Sequence, residues 1–126
     1  MIVLDTSALI FWTLDQEKLS PSATAVITEA DDIIISSISI WEIGIKAKNG
    51  RLILPLSLRE YLEKLKSVSL LSIKPVDEHI WLKNIELDWK NRDPADRTIV
   101  ATASLLGCRL VTSDKRILDF YADAIW

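Results

Sequence analysis

The sequence predicts a three-layer α/β/α sandwich around a mainly parallel central sheet, as a single domain over residues 1–126. Three observations predict it. Ile2-Val3-Leu4 and Ile33-Ile34-Ile35 are apolar without alternation, the pattern of strands buried on both faces. Stretches with helical spacing and helix-start signals fall between such runs, and strands alternating with helices give a parallel sheet covered on both sides. The chain has 126 residues, of which 49% are hydrophobic and 26% charged, enough for one core and too apolar for disorder.

In chain order, Ile2-Val3-Leu4 is the first strand and Ala8 to Leu14 a short helix. Ser20-Pro21 opens a second helix, with serine as N-cap and proline at the first helical position. Asp31-Asp32 turns the chain into the strand Ile33 to Ile35, and Ile38 to Lys48 is the next helix, closed by Asn49-Gly50. Leu54-Pro55 is a break, Ser57 to Lys66 a helix, and Leu70 to Ile73 a strand ended by Pro75. Asp77 to Asp88 and Pro94 to Leu106 are helices, the latter with Gly107 at its C-cap. Arg109 to Thr112 is a strand, Ser113-Asp114-Lys115 a turn, and Ala124 to Trp126 a last short strand. There are no internal repeats and no linker.

Composition excludes several classes. No apolar run reaches the ~18 to 20 residues of a membrane span, and Met1 to Asp5 lacks the basic start of a signal peptide. One cysteine, Cys108, rules out an internal disulfide and a cysteine-based zinc site; it reads as core filler. These features place the protein in the cytoplasm. A net charge of −3 argues against non-specific duplex binding and leaves room for a local basic rim. Most of the five tryptophans read as core or interface residues. His79, beside Ile80 and Trp81, has no catalytic reading.

Ligand sites in such folds lie at the carboxyl edge of the strands, near the topological switch point. Asp5 follows the first strand at that edge, and Asp114 follows the strand at 109 to 112. Asp5 reads equally as a turn residue or a helix cap, and Asp114 as a turn residue. Asp93-Pro94-Ala95-Asp96 is a helix start, with Asp93 as N-cap and Asp96 favourable to the macrodipole. Asp96 also continues the core-facing stripe of Ile99, Val100 and Ala103, on a helix whose N-terminus meets the same edge. Glu42 has a bland reading too, in a capping box with Ser39 and an i,i+4 pair with Lys46 worth ~0.3 kcal/mol. Yet it shares a face with Ile38 and Ile45 on a helix starting at that edge. Carboxylates from four elements meeting at one place would repel, and a divalent cation is the usual reason to tolerate it. Without histidine or thiolate, the donors suit Mg²⁺ or Mn²⁺. Such sites hydrolyse phosphodiesters by metal-activated water, with one ion or with a second ~4 Å away.

With those residues in place, the chain resembles a PIN domain, specifically the VapC-type toxin ribonuclease of bacterial toxin–antitoxin pairs. LDTSAL at 4–9 is similar to that family's first motif, and SISIWEIGIKAKNGRLILP at 37–55 to its second. RDPADRTIVATA at 92–103 resembles the Asp-Pro-x-Asp-Arg motif, and LVTSD at 110–114 the last. The resemblance implies that Asp5, Glu42, Asp96 and Asp114 are catalytic and hold Mg²⁺ or Mn²⁺, one or two ions per site. It implies cleavage of RNA, a homodimer, and a cognate VapB-type antitoxin that occludes the site. Asn91, where relatives often carry histidine, and Ala95, where a large residue is common, depart from the pattern without touching an acid.

Substrate contacts are expected from Thr6, Lys46, Arg97, Ser113 and Lys115, within a basic rim that also includes Lys48, Arg51, Arg92 and Arg116. Arg97 adjoins Asp96, so pairing with a carboxylate is its structural reading. A phosphatase of the haloacid-dehalogenase type would need an acid where Ser7 stands, and a receiver module does not fit the order of elements. The rival from another class is a PIN-fold RNA- or protein-binding module without cleavage activity.

Overall fold

In the computed structural model, which describes residues 1–126, strands and helices alternate. They are β1 (Ile2–Leu4), α1 (Thr6–Leu14), a 3-10 turn (Gln16–Lys18), α2 (Pro21–Glu29), β2 (Ile33–Ser36), α3 (Ser37–Lys48), α4 (Leu58–Ser67), β3 (Leu71–Lys74), α5 (Glu78–Glu86), α6 (Pro94–Leu106), β4 (Arg109–Val111), α7 (Lys115–Phe120) and β5 (Ala124–Ile125). The five strands form one sheet in the order β3-β2-β1-β4-β5. Every pairing is parallel, so the sheet is wholly rather than mainly parallel.

Register follows the apolar runs. Leu4 lies between Ile35 and Val111, and Val3 between Ile34 and Leu110. Because side chains alternate across a strand, Leu4, Ile35 and Val111 pack on one side with Leu9, Ile27, Ile43 and Leu65. Val3, Ile34 and Leu110 pack on the other with Ile99, Val100 and Ala103 of α6 and Ile117 of α7. That is why neither strand alternates in sequence: both faces are core. Cys108 is buried in the second cluster, as expected of filler.

Local signals set most helix ends. The Ser20 hydroxyl accepts from the Ala23 N–H at 2.9 Å with Pro21 at the first helical position, and Ser57 and Glu60 form a reciprocal capping box at α4. Asp93 caps α6, and Gly107, at φ +63°, ends it in the left-handed conformation that glycine tolerates.

Several boundaries differ from expectation by a residue or two, and three of the differences bear on the site. The helix α1 begins at Thr6 rather than Ala8, because the Asp5 side chain accepts from the Ala8 N–H and starts the helix directly at the strand's end. For the same reason α3 begins at Ser37: Ser36 is the cap, so Ser39 is already inside the helix. Ser39 is buried with its hydroxyl on Thr6, 2.9 Å away, and the expected capping box with Glu42 does not form. Finally, a helix that the sequence did not predict, α7, follows directly from the expected turn at Ser113-Asp114-Lys115, with Asp114 as its N-cap.

Candidate active site

The strand order places β2 and β4 on opposite sides of β1, so the chain leaving β1 and the chain leaving β4 border one crevice at the carboxyl edge. A cleft of about 270 Å³ opens there, lined by Asp5, Glu42, Asp93, Asp96 and Asp114. Thr6, Ser7 and Ile99 complete its walls, with the cations Lys46, Arg51 and Arg116. The four acids singled out in sequence are therefore brought together, with Asp93 as a fifth. A larger, mostly apolar cavity of about 390 Å³ between α1 and α4 shares no residue with this cleft and carries no acid.

Each acid has its own donor. Asp5 is buried; its Oδ1 accepts from the Ala8 N–H at 2.7 Å and its Oδ2 from the Thr112 hydroxyl. Burial pushes its carboxyl up to about 6 from 3.8, against those two hydrogen bonds and helped by the charges of Asp96 and Asp114. The Thr112 hydroxyl oxygen also accepts from the Asp114 N–H at 3.0 Å, so one threonine links two of the acids. Glu42 accepts from the Thr6 hydroxyl, not from Lys46.

Asp96 takes the Asn91 amide at 3.0 Å and Arg116 Nη2 at 3.1 Å on the same oxygen. Burial raises its pKa, with Asp93 and Asp114 adding to the rise. Asp114 is held below the usual carboxylate range, chiefly by its hydrogen bond with Arg116. Arg116 Nη2 is also 3.1 Å from Asp114 Oδ2, so one guanidinium nitrogen bridges two acids. As the side chains stand, no three acids are gathered around a single point that would hold an ion. The chemistry of the donors nonetheless fits a hard divalent cation: carboxylate and hydroxyl oxygens, with no imidazole or sulfur in the cleft. Asp5, Asp96 and Asp114, with Glu42, are the residues that would hold one.

Of the expected substrate contacts, Thr6 and Lys46 line the cleft. Ser113 and Lys115 are exposed where β4 leads into α7 and do not line it. Arg97 is corrected. Its guanidinium donates to the carbonyls of Asn84 (2.6 Å), Leu87 (2.9 Å), Trp89 (2.7 Å) and Asn91 (2.9 Å). It clamps the end of α5 and the segment after it, and it is neither free for phosphate nor paired with a carboxylate. His79 is exposed on α5, away from the cleft. Sequence reading missed the functions of Thr112 and Asn91 as donors to Asp5 and Asp96. The adjacency of Thr112 to the Ser113-Asp114 turn was the only available signal for the first.

The cleft at the switch point of the parallel α/β/α sheet is thus lined by five carboxylates, with oxygen donors only. The model of the PIN domain matches residues 2–123. The chain belongs to the PIN domain family. It is 31% identical over 118 residues to "Ribonuclease VapC22" of Mycobacterium tuberculosis, covering 92% of this chain and 88% of that protein. Among solved structures it is similar to "Toxin-antitoxin complex from Klebsiella pneumoniae" (TM-score 0.71, 19% identity, 100% of this chain and 97% of that one). It is similar also to "Crystal Structure of FitAcB from Neisseria gonorrhoeae" (TM-score 0.69, 20% identity, 100% and 96%). At those identities the structures speak for the fold. No helix is long and apolar enough to cross a membrane.

Proposed function

We propose that this PIN-domain protein is a Mg²⁺- or Mn²⁺-dependent endoribonuclease, the toxin of a type II toxin–antitoxin pair acting in the cytoplasm. The observation that carries the reading is the convergence of Asp5, Glu42, Asp96 and Asp114 on one cleft, in a chain 31% identical to a protein named a ribonuclease. A divalent cation bound to these acids supplies water activation and stabilises charge on the phosphoryl group and the leaving oxygen. The chain's residues do the rest. The hydroxyl of Thr112 fixes Asp5, and that of Thr6 fixes Glu42, so both carboxylates are oriented before any ligand arrives. Lys46 and Arg51 on the cleft wall meet the phosphates flanking the scissile one, and exposed Ser113 and Lys115 meet the RNA beyond it.

The similarity to proteins solved as toxin–antitoxin complexes supports a VapB-type antitoxin as partner. Exposed Trp41 on α3 and Trp81, Leu82 and Ile85 on α5 support a homodimer. One observation favours the alternative of a PIN-fold RNA- or protein-binding module that does not cut: as the side chains stand, no three acids are gathered around one point for an ion. End-labelled RNA incubated with the protein and Mn²⁺ decides between them. Cleavage products that vanish in Asp5→Asn support the nuclease; retention of RNA without products supports the binding module.

A further inference from the structure

Building on the metal-dependent reading above, we propose that Arg116 is a resident counter-ion of the cleft with two partners in turn. Its guanidinium holds Asp96 and Asp114 together until a divalent cation displaces it, and it then takes a phosphate of the RNA. Three cations line the cleft, and Arg116 alone among them is ion-paired. The two acids it joins come from separate elements, one in the first turn of α6 and the other capping α7. Its Nη2 stands 3.1 Å from Oδ2 of each. A cation liganded by both carboxylates would compete with Arg116 for their charge and for the Oδ2 atoms it holds, so each weakens the hold of the other. Without either, two like charges would face each other across the cleft.

The plug is built to leave. The Arg116 side chain is 60% exposed, whereas Asp96 and Asp114 are 16% and 27% exposed, so the arginine is the partner that moves. Its backbone is fixed in the first turn of α7, so a displaced guanidinium stays tethered at the cleft. A phosphodiester offers two anionic oxygens in the geometry that a guanidinium matches with paired N–H donors. Cation entry thus frees the group that binds substrate, and substrate binding removes the group that blocks the cation. Coupling of this kind is reciprocal.

The test is isothermal titration of Mn²⁺ into EDTA-stripped wild type, Arg116→Gln and Arg116→Lys, followed by cleavage kinetics at saturating Mn²⁺ on a single-stranded RNA that the wild type cuts. Arg116→Gln is expected to bind Mn²⁺ five- to tenfold more tightly, and to show a KM for RNA raised about tenfold with a smaller change in kcat. Arg116→Lys keeps the positive charge and stays nearer to wild type in Mn²⁺ affinity. Equal or weaker Mn²⁺ binding by Arg116→Gln overturns the competition, as does a lysine variant as tight as the glutamine one. An unchanged KM overturns the transfer to phosphate. Failure of all three proteins to bind Mn²⁺ overturns the metal-site reading itself and the proposal with it.

Discussion

A carboxylate at the end of β1 is buried under α1, where ionisation is costly, yet Asp5 is also the cap that starts that helix. Its two hydrogen bonds offset only part of the desolvation, and its pKa rises from 3.8 to about 6. Since the folded value lies above the unfolded one, the native state holds the extra proton between about pH 4 and 6. Stability of the metal-free protein contributed by this group is therefore full at the acid end and falls as pH climbs through that window. The loss amounts to roughly 3 kcal/mol once Asp5 is ionised. Asparagine carries no charge and still accepts from the Ala8 N–H. Urea unfolding in EDTA should then show Asp5→Asn gaining on wild type from pH 4 to 6 and holding a constant lead above it. A difference that does not change with pH would mean that Asp5 titrates normally. Asp96 is subject to a related but separate argument: it accepts from Asn91 and Arg116 side chains and from no backbone N–H. Asp96→Asn is expected to abolish RNA cleavage while leaving the metal-free fold equally stable or slightly more so, as urea unfolding would show. Substantial destabilisation would return Asp96 to a capping role.

At the level of elements, α6 sets the site, because its first turn supplies Asp96 and its flank holds the preceding loop in place. The capping burden falls on Asp93, whose Oδ1 accepts from the Ala95 and Asp96 N–H groups at 2.9 and 3.2 Å. Asp93→Ala should cost about 1 kcal/mol in urea unfolding, the usual value for a lost N-cap. Arg97 carries more. Lysine offers one nitrogen where the guanidinium reaches four carbonyls, so Arg97→Lys should cost roughly 2–4 kcal/mol, read by the same unfolding measurement. A stable Arg97→Lys with a raised KM for RNA would instead restore the phosphate role expected from its place beside Asp96. The range of α6 was readable from sequence because proline, aspartate and glycine mark both ends locally. By contrast, α7 was not, since six residues are too few to show a helical period. The starts of α1 and α3 were placed too late because strand and helix abut, with Asp5 and Ser36 capping the helices directly at the strands' ends. The convergence of the four acids was readable, as it follows from topology. The Arg116 bridge and the Arg97 clamp were not, because each depends on how separate elements place the ends of long side chains.

For the whole molecule, charge is the quantity that a bound cation would change. The chain has a net charge of −3 and the cleft collects five carboxylates against three cations, an unfavourable destination for RNA unless a cation were bound there. The gathered acids belong to the folded state only: Asp5 and Glu42 follow the ends of β1 and β2, Asp96 lies in α6 and Asp114 follows β4. The unfolded chain spreads them over more than a hundred residues. A cation that binds the folded state alone raises stability by mass action, about 2.7 kcal/mol at a concentration a hundredfold above its Kd. For a domain of this length that corresponds to a rise in melting temperature on the order of 10 °C. Thermal unfolding of EDTA-stripped protein with added Mg²⁺ or Mn²⁺ should show a rise that grows with the logarithm of metal concentration and disappears in Asp5→Asn. A rise retained in full by Asp5→Asn would place the ion elsewhere on the surface. No rise at millimolar metal would mean that the four acids hold no cation in the folded protein. That outcome would favour the reading in which this fold binds RNA without cutting it.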